Sequence, residues 1–193
     1  TSPLPPAQGT PVELPYNVDV ISYDGHKADG DFDSLGASFP AEMLPDTIVS
    51  EGVPFRLGPK ADGAANAVAC QGQTVRLPEG KFNRVYVLAA ASRPQDGRAR
   101  DSANRYTFKL GETAVEVPVQ VWSGFIGQWD KRLWAGDKTP LSDEELNAAE
   151  YAGLAPAYLK KENIAFFTTH RHRRDGANEA YAYAYLFRYR FDL

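Results

Sequence analysis

A single cysteine, Cys70, in 193 residues excludes an internal disulfide. It lies in the apolar run "NAVAC", where a buried, inert thiol is expected rather than a reactive one, so it says little about compartment. No apolar run approaches the roughly 18 residues of a membrane span, and no signal peptide is recognisable. The chain opens on Thr1, as a mature form or an excised domain would. Charge of one sign is scarce too. Against 25 acidic residues stand 21 basic ones, and the net charge of -4 draws in neither nucleic acid nor an anionic membrane. Both are set aside as partners.

Catalytic signatures are missing as well. There is no G-x-S-x-G, P-loop, G-x-G-x-x-G or H-E-x-x-H pattern. Nothing in the sequence places two carboxylates across a cleft as glycoside cleavage requires. No catalytic residue is assigned, and no motif supports an enzyme.

What is present is β-structure. The 14 prolines and 16 glycines are spread along the chain and imply many turns between short elements. Residues 1–15, "TSPLPPAQGTPVELP", read as a linker or a strap laid over a neighbouring surface. Strands are expected at "YNVDVISYD", "VPFRLG", "NAVACQGQTVRLP", "NRVYVLAAAS", "RYTFKLG" and "TAVEVPVQVW", each rich in Val, Thr or aromatics and bounded by Gly, Pro or Asn. "KLGETAVEV" reads as a hairpin turning at Gly111–Glu112. In "LSDEELNAAEYAGL", Ser142 and Glu145 form a capping box, so a surface helix is expected there with its stop at Gly153. "NIAFFTTH" and "AYAYAYLFRYRFDL" return to β, joined by the loop "RHRRDGANE". In the last strand Tyr181, Tyr183, Tyr185, Phe187, Tyr189 and Phe191 share one face, a stripe expected to be core or a sheet–sheet interface.

Three constellations could carry chemistry. His170 and His172, two apart on a strand, point the same way, and the following loop adds Asp175, Asn178 and Glu179. As a metal signal His-x-His is weak, and the neighbouring arginines oppose a divalent cation, so these side chains are expected to hold the loop or a polar ligand. The acidic loop "DGHKADGDFD" offers Asp24, Asp29, Asp31 and Asp33. Of these, Asp29, Asp31 and Asp33 stand at the spacing of a Ca²⁺ loop, without the closing Glu or flanking helices of an EF-hand, so a solvated loop competes with a structural calcium site. "VWSGFIGQWDKRLW" sets Trp122, Trp129 and Trp134 beside Gln128, Asp130 and Arg132, the aromatic and polar mixture that grips sugars. One tryptophan, Trp129 or Trp134, is expected at the surface and the other two in the core.

The blocks "DGDFDSLGASFPAEMLP", "VPFRLG", "GQTVRLPEGKFNRVYVLAAA", "VWSGFIGQWDKRLW" and "IAFFTTHRHRRDGANEAYAYAYLF" occur in this order over about residues 16–193. They resemble the accessory β-sandwich region towards the C-terminus of bacterial α-mannosidase-like proteins of glycoside hydrolase family 38. The resemblance implies an all-β, galactose-binding-domain-like jelly roll, a sandwich used for carbohydrate binding and sometimes holding structural Ca²⁺. It does not imply mannosidase activity, because that family's zinc centre and catalytic aspartate belong to a separate α/β domain whose His-x-Asp motif has no counterpart here.

The sequence thus leads to a strap over 1–15 and one β-sandwich over 16–193 with a helical insertion at about 141–153. Its expected role is non-catalytic carbohydrate binding beside a glycosidase domain, in a secreted or periplasmic protein. The expected ligand site comprises Trp129, Asp130, His170, Arg171, His172 and Asn178, and the expected Ca²⁺ site Asp29, Asp31 and Asp33. Two alternatives stand beside it: a glycan-active enzyme with His170 or His172 as general base, and a purely structural interdomain module.

Overall fold

Alternation of apolar and polar residues with period two drives the longest element, a strand of 15 residues over Asn178–Asp192. The protein's structure is a computed structural model that describes residues 9–92, 105–124, 126–128, 131–137, 142–155, 158–159 and 163–193. The chain divides into two compact units, Thr1–Gly124 with Glu162–Leu193, and Phe125–Lys161.

In the first unit the strands run β1 (Ile21–Ser22), β2 (Phe39–Pro40), β3 (Thr47–Ser50), β4 (Val53–Arg56), β5 (Arg84–Ala89), β6 (Arg105–Leu110) and β7 (Thr113–Pro118). The second unit supplies β8 (Gly127–Gln128), β9 (Lys131–Trp134), β10 (Tyr151–Ala155) and β11 (Tyr158–Leu159), and the first resumes with β12 (Asn163–His172) and β13 (Asn178–Asp192). β13 is the central strand of a sheet of order β12-β13-β5, antiparallel on both sides. β6 and β7 form the expected hairpin, turning through Gly111 and Glu112, with Gly111 in the left-handed region at φ 61°. β3 and β4 form a second hairpin, and β1 pairs with β2 in parallel.

Each face of β13 carries a core. On one, Tyr185, Phe187, Tyr189 and Phe191 are buried and pack with Val85, Val87, Tyr106, Phe108, Val115 and Val117, so that β6–β7 covers the sheet. The Phe108 and Phe191 rings stand 4.7 Å apart. Each such aromatic contributes roughly 1.5–3 kcal/mol on burial. On the other face Ala184 and Leu186 meet Ile21, Phe39, Leu44, Val121 and Trp122. Arg188 on that face is buried too. Its guanidinium donates to the Ser50 carbonyl at 3.0 Å and pairs with Glu51 at 2.5 Å, fastening the β3–β4 turn.

The aromatic stripe is shorter than its sequence suggests. Thr168 pairs with Ala184 but His170 pairs with Ala180, so two residues of β12 span four of β13. This bulge puts Tyr181 at φ 58° and leaves it 87% exposed, while Tyr183 stands at the edge of the core.

Two expected strands differ as well. "YNVDVISYD" contributes only Ile21–Ser22 to a ladder, and "NAVACQGQTVRLP" forms no strand beyond the bridge from Ala67 to Val18. Side chains take the place of ladder bonds there. Asn66 Oδ1 accepts from the Val20 amide and its Nδ2 donates to Asp19, while the Ala69 amide donates to Asn17 Oδ1. Cys70, expected to be buried, is exposed because this stretch runs outside any sheet. Its thiol is nonetheless pushed above the ordinary value by shielding from water.

The second unit pairs β8 with β11 and β9 with β10. Its helix α1 (Asp143–Ala148) starts as the capping box requires, with Ser142 Oγ accepting from the Glu145 amide at 3.2 Å. It ends at Ala148 rather than at Gly153, because Tyr151–Ala155 is drawn into β10 opposite Lys131–Trp134, with Gly153 there at φ 135°. Among the described residues no helix is long and apolar enough to cross a membrane.

Candidate functional site

The end of β12 brings His170 and His172 together with Asp24. Residues two apart on a strand share a face, which turns His170 and His172 together and Arg171 the other way. The His170 and His172 rings lie 5.6 Å apart. A reciprocal pair of backbone hydrogen bonds, each 3.1 Å, ties His172 to Ser38 just before β2. His172 is completely buried.

The two nitrogens of His172 have different surroundings. Nδ1 lies 2.9 Å from Ser22 Oγ, which is 2.5 Å from Ser38 Oγ. Nε2 stands 3.2 Å from Asp24 Oδ1, yet the alignment makes no hydrogen bond and leaves Nε2 without a partner. Asp24 Oδ1 accepts from Asn178 Nδ2 at 3.2 Å, and Lys27 Nζ stands 3.4 Å from it. The Asp24 amide donates to Glu42 Oε1. Burial lowers the His172 pKa, opposed in part by Asp24 and Glu42, so the ring is neutral at pH 7. The Asn178 hydrogen bond, ahead of Lys27, holds Asp24 below the ordinary carboxylate value.

Serine, histidine and aspartate in contact invite comparison with a nucleophilic triad, but the geometry excludes one. Ser22 and Ser38 are 1% and 0% exposed, so neither hydroxyl can reach a substrate. These serines were not legible as site residues, because a serine carries no distinctive pattern and its partner is 150 positions away.

Of the sequence-selected ligand residues, His170, His172 and Asn178 gather around Asp24. Arg171 belongs to a different set. Its guanidinium pairs with Glu179 at 2.5 Å and lies 5.2 Å over the Trp122 ring, which is buried against Phe32 and Phe39. Beside it runs an open groove of about 440 Å³ lined by Asp33, Leu35, Arg171, Arg174, Asp175 and Glu179. Trp129 and Asp130 lie outside the described residues.

Asp29, Asp31 and Asp33 do not converge on one point. Asp31 accepts from the Gly36 amide, and Asp33 from the amides of Leu35 and Ala37, so both carboxylates shape their own loop. Asp29 turns instead to the Gly63 amide and to Asp62, which also pairs with His26. That spacing in sequence served turn formation, for which aspartate is equally suited. Gly30 between them packs so closely that a Cβ would stand 2.8 Å from both the Ile21 carbonyl and Ser38 Cβ.

The model of the AziU2-like beta-sandwich domain family matches residues 8–193. The chain belongs to that family. An AziU2-like β-sandwich accounts for the mostly β architecture and for the covering of β12-β13-β5 by β6–β7. It agrees with the sandwich expected from the sequence, while the accessory region of α-mannosidase-like proteins is not the group that matches. None of the curated proteins compared matches this AziU2-like chain.

Proposed function

We propose that this β-sandwich is a non-catalytic recognition module for carbohydrate that works beside a separate catalytic domain. The observation that carries the reading is a set of exposed aromatics at the bulge. Phe167, Tyr181 and Tyr183 are 51%, 87% and 37% exposed, and the Phe167 and Tyr183 rings are 6.2 Å apart. Rings left in water at a cost of burial forgone are useful where a ligand covers them, and the C–H faces of sugars do so. Asn178, Arg171 and Glu179 at the neighbouring strand ends supply donors and acceptors for hydroxyl groups. The sealed serines around His172 argue against serine-based hydrolysis at this histidine.

The sequence resemblance to the mannosidase-like accessory region supports a glycan as the ligand and a glycosidase as the neighbour. A galactose-binding-like jelly roll is the sandwich type that goes with that reading, and a secreted or periplasmic location goes with such a ligand. Structural Ca²⁺ is a weaker part of it, since Asp31 and Asp33 already hold their loop.

A glycan-array screen of the purified chain, run with and without Ca²⁺, tests the reading. Saturable binding that weakens in Phe167→Ala, Tyr183→Ala or Trp129→Ala supports it. Absence of binding in both conditions replaces it with the structural interdomain module.

A further inference from the structure

The geometry points to Asp24, His170 and His172 as a binding site for a borderline first-row divalent cation of the Zn²⁺ class. Each residue offers one ligand atom, and the three atoms lie within 4.8 Å of one another. The site touches the polar groups assigned to carbohydrate through Asn178, which donates to Asp24 Oδ1, but needs no sugar.

The buried ring carries most of the argument. His172 is 0% exposed, and its Nε2 has no hydrogen-bond partner although it faces Asp24. In the tautomer whose Nδ1–H donates to Ser22 Oγ, 2.9 Å away, Nε2 keeps its lone pair beside a carboxylate oxygen at 3.2 Å. In that tautomer two acceptors stand 3.2 Å apart and repel unless a cation lies between them. Ligand atoms of a tetrahedral site with bonds of about 2.0–2.1 Å are about 3.3 Å apart, close to the separation seen here. Closing His170 onto the ion is a side-chain adjustment of a half-exposed residue on the same strand face.

The hydrogen bond on Nδ1 is the second indication. Metal-binding imidazoles almost always have the distal nitrogen fixed by an outer partner, which sets the tautomer and the ring plane. Ser22, itself held by Ser38, is such a positioning residue. Two imidazoles and one carboxylate suit Zn²⁺ and its first-row neighbours better than Ca²⁺ or Mg²⁺, which take oxygen ligands. Three protein ligands leave a coordination position for water or a polar ligand.

The arginines that counted against a metal in the sequence are directed elsewhere. Arg171 is paired with Glu179, and Arg173 with Asp175 at 3.1 Å. The cation that does stand at Asp24 is Lys27, 3.4 Å from Oδ1 and with its side chain only 16% exposed. A metal ion would displace it.

The experiment is competition for Zn²⁺ between the chelator-stripped 193-residue chain and a chromophoric chelator. One Zn²⁺ per chain is expected, weakened more than about ten-fold in Asp24→Asn and in His170→Ala. Lys27→Met, which removes the competing ammonium, tightens it, and His26→Ala leaves it unchanged. His172→Ala opens a hole in the core, so the two more accessible ligands carry the test, with circular dichroism confirming that each variant folds. Co²⁺ in place of Zn²⁺ gives the visible bands of a low-coordinate nitrogen and oxygen site, lost in His170→Ala. No competition by the wild type, affinity indifferent to Asp24→Asn and His170→Ala, or affinity unmoved by Lys27→Met overturns the inference.

Discussion

His172 Nδ1 and Ser22 Oγ, 150 positions apart in the chain, meet at 2.9 Å in a part of the interior where both residues are closed to water. This contact joins the end of β12 to β1. Ser22→Ala removes the only side-chain partner of Nδ1 seen among the described residues and leaves a buried polar nitrogen unsatisfied. The expected loss is about 1–3 kcal/mol in urea unfolding. A loss below about 0.5 kcal/mol, the range of ordinary surface changes, would mean that the hydroxyl does not satisfy the ring.

The bulge in β13 ranks its aromatics. Phe187→Ala, at 0% exposure, should cost about 3–5 kcal/mol. Tyr181→Ser, at 87% exposure, should stay within about 0.5 kcal/mol. Thermal and denaturant unfolding of the two variants separate a bulged strand from a regular one, in which both rings would lie on the same buried face and both losses would be large.

Gly30 is required by space rather than by backbone angle. A methyl group there meets the Ile21 carbonyl and Ser38 Cβ at 2.8 Å, so Gly30→Ala should force β1 and the loop before β2 apart at about 1–3 kcal/mol. Because Ser38 also holds His172, faster amide exchange at His172 should accompany the lost stability. Unchanged exchange would separate the two effects.

Asp29 and Asp62 should titrate in two separate steps. Burial, followed by the Asp62 interaction, raises Asp29 above the ordinary carboxylate value, and the hydrogen bond with Asp29, ahead of His26, lowers Asp62. A raised carboxyl favours the folded state while it is protonated, so Asp29's contribution is present in acid and lost as pH rises through its folded value. Asp62 has the opposite sign: its contribution is present above the ordinary value and lost as pH falls through its lowered one. Carboxyl-carbon NMR titration reads both, and Asp62→Asn should bring the Asp29 step part of the way down. A single shared step at the ordinary value would refute the pairing.

Cys70 should label completely with a thiol reagent in the native chain, since it is exposed. Its raised pKa makes the rate climb at a more alkaline pH than for a free cysteine. Labelling that needs denaturant would restore the buried thiol expected from the apolar run.

The legible parts of this fold were those specified locally. The Gly111–Glu112 hairpin, the Ser142–Glu145 cap and the alternation of Tyr185 to Phe191 each need only neighbouring residues to declare them. The bulge at Tyr181 was not legible, because register depends on the partner strand. Nor was the failure of "NAVACQGQTVRLP" to pair, where Asn66 and Asn17 substitute side-chain bonds for a ladder. At the candidate site, His170, His172 and Asn178 stood out by type, whereas Asp24 was one acid among several and Ser22 and Ser38 carried no signal. Their meeting is a product of topology.

The segment Phe125–Lys161 leaves and rejoins the sheet at neighbouring points. Ser123 is bridged to Ala184, and Asn163 is paired with Arg188 on the opposite edge of β13, four positions along. Two strand spacings across and four residues along amount to about 16 Å in a straight line, which runs through β13, so a link has to pass around the strand and be longer than the about five extended residues of that distance. The protein is therefore open to surgery: a linker long enough to pass around β13 could replace the whole segment without re-registering β12 or β13, and foreign sequence could be spliced in at the same two points.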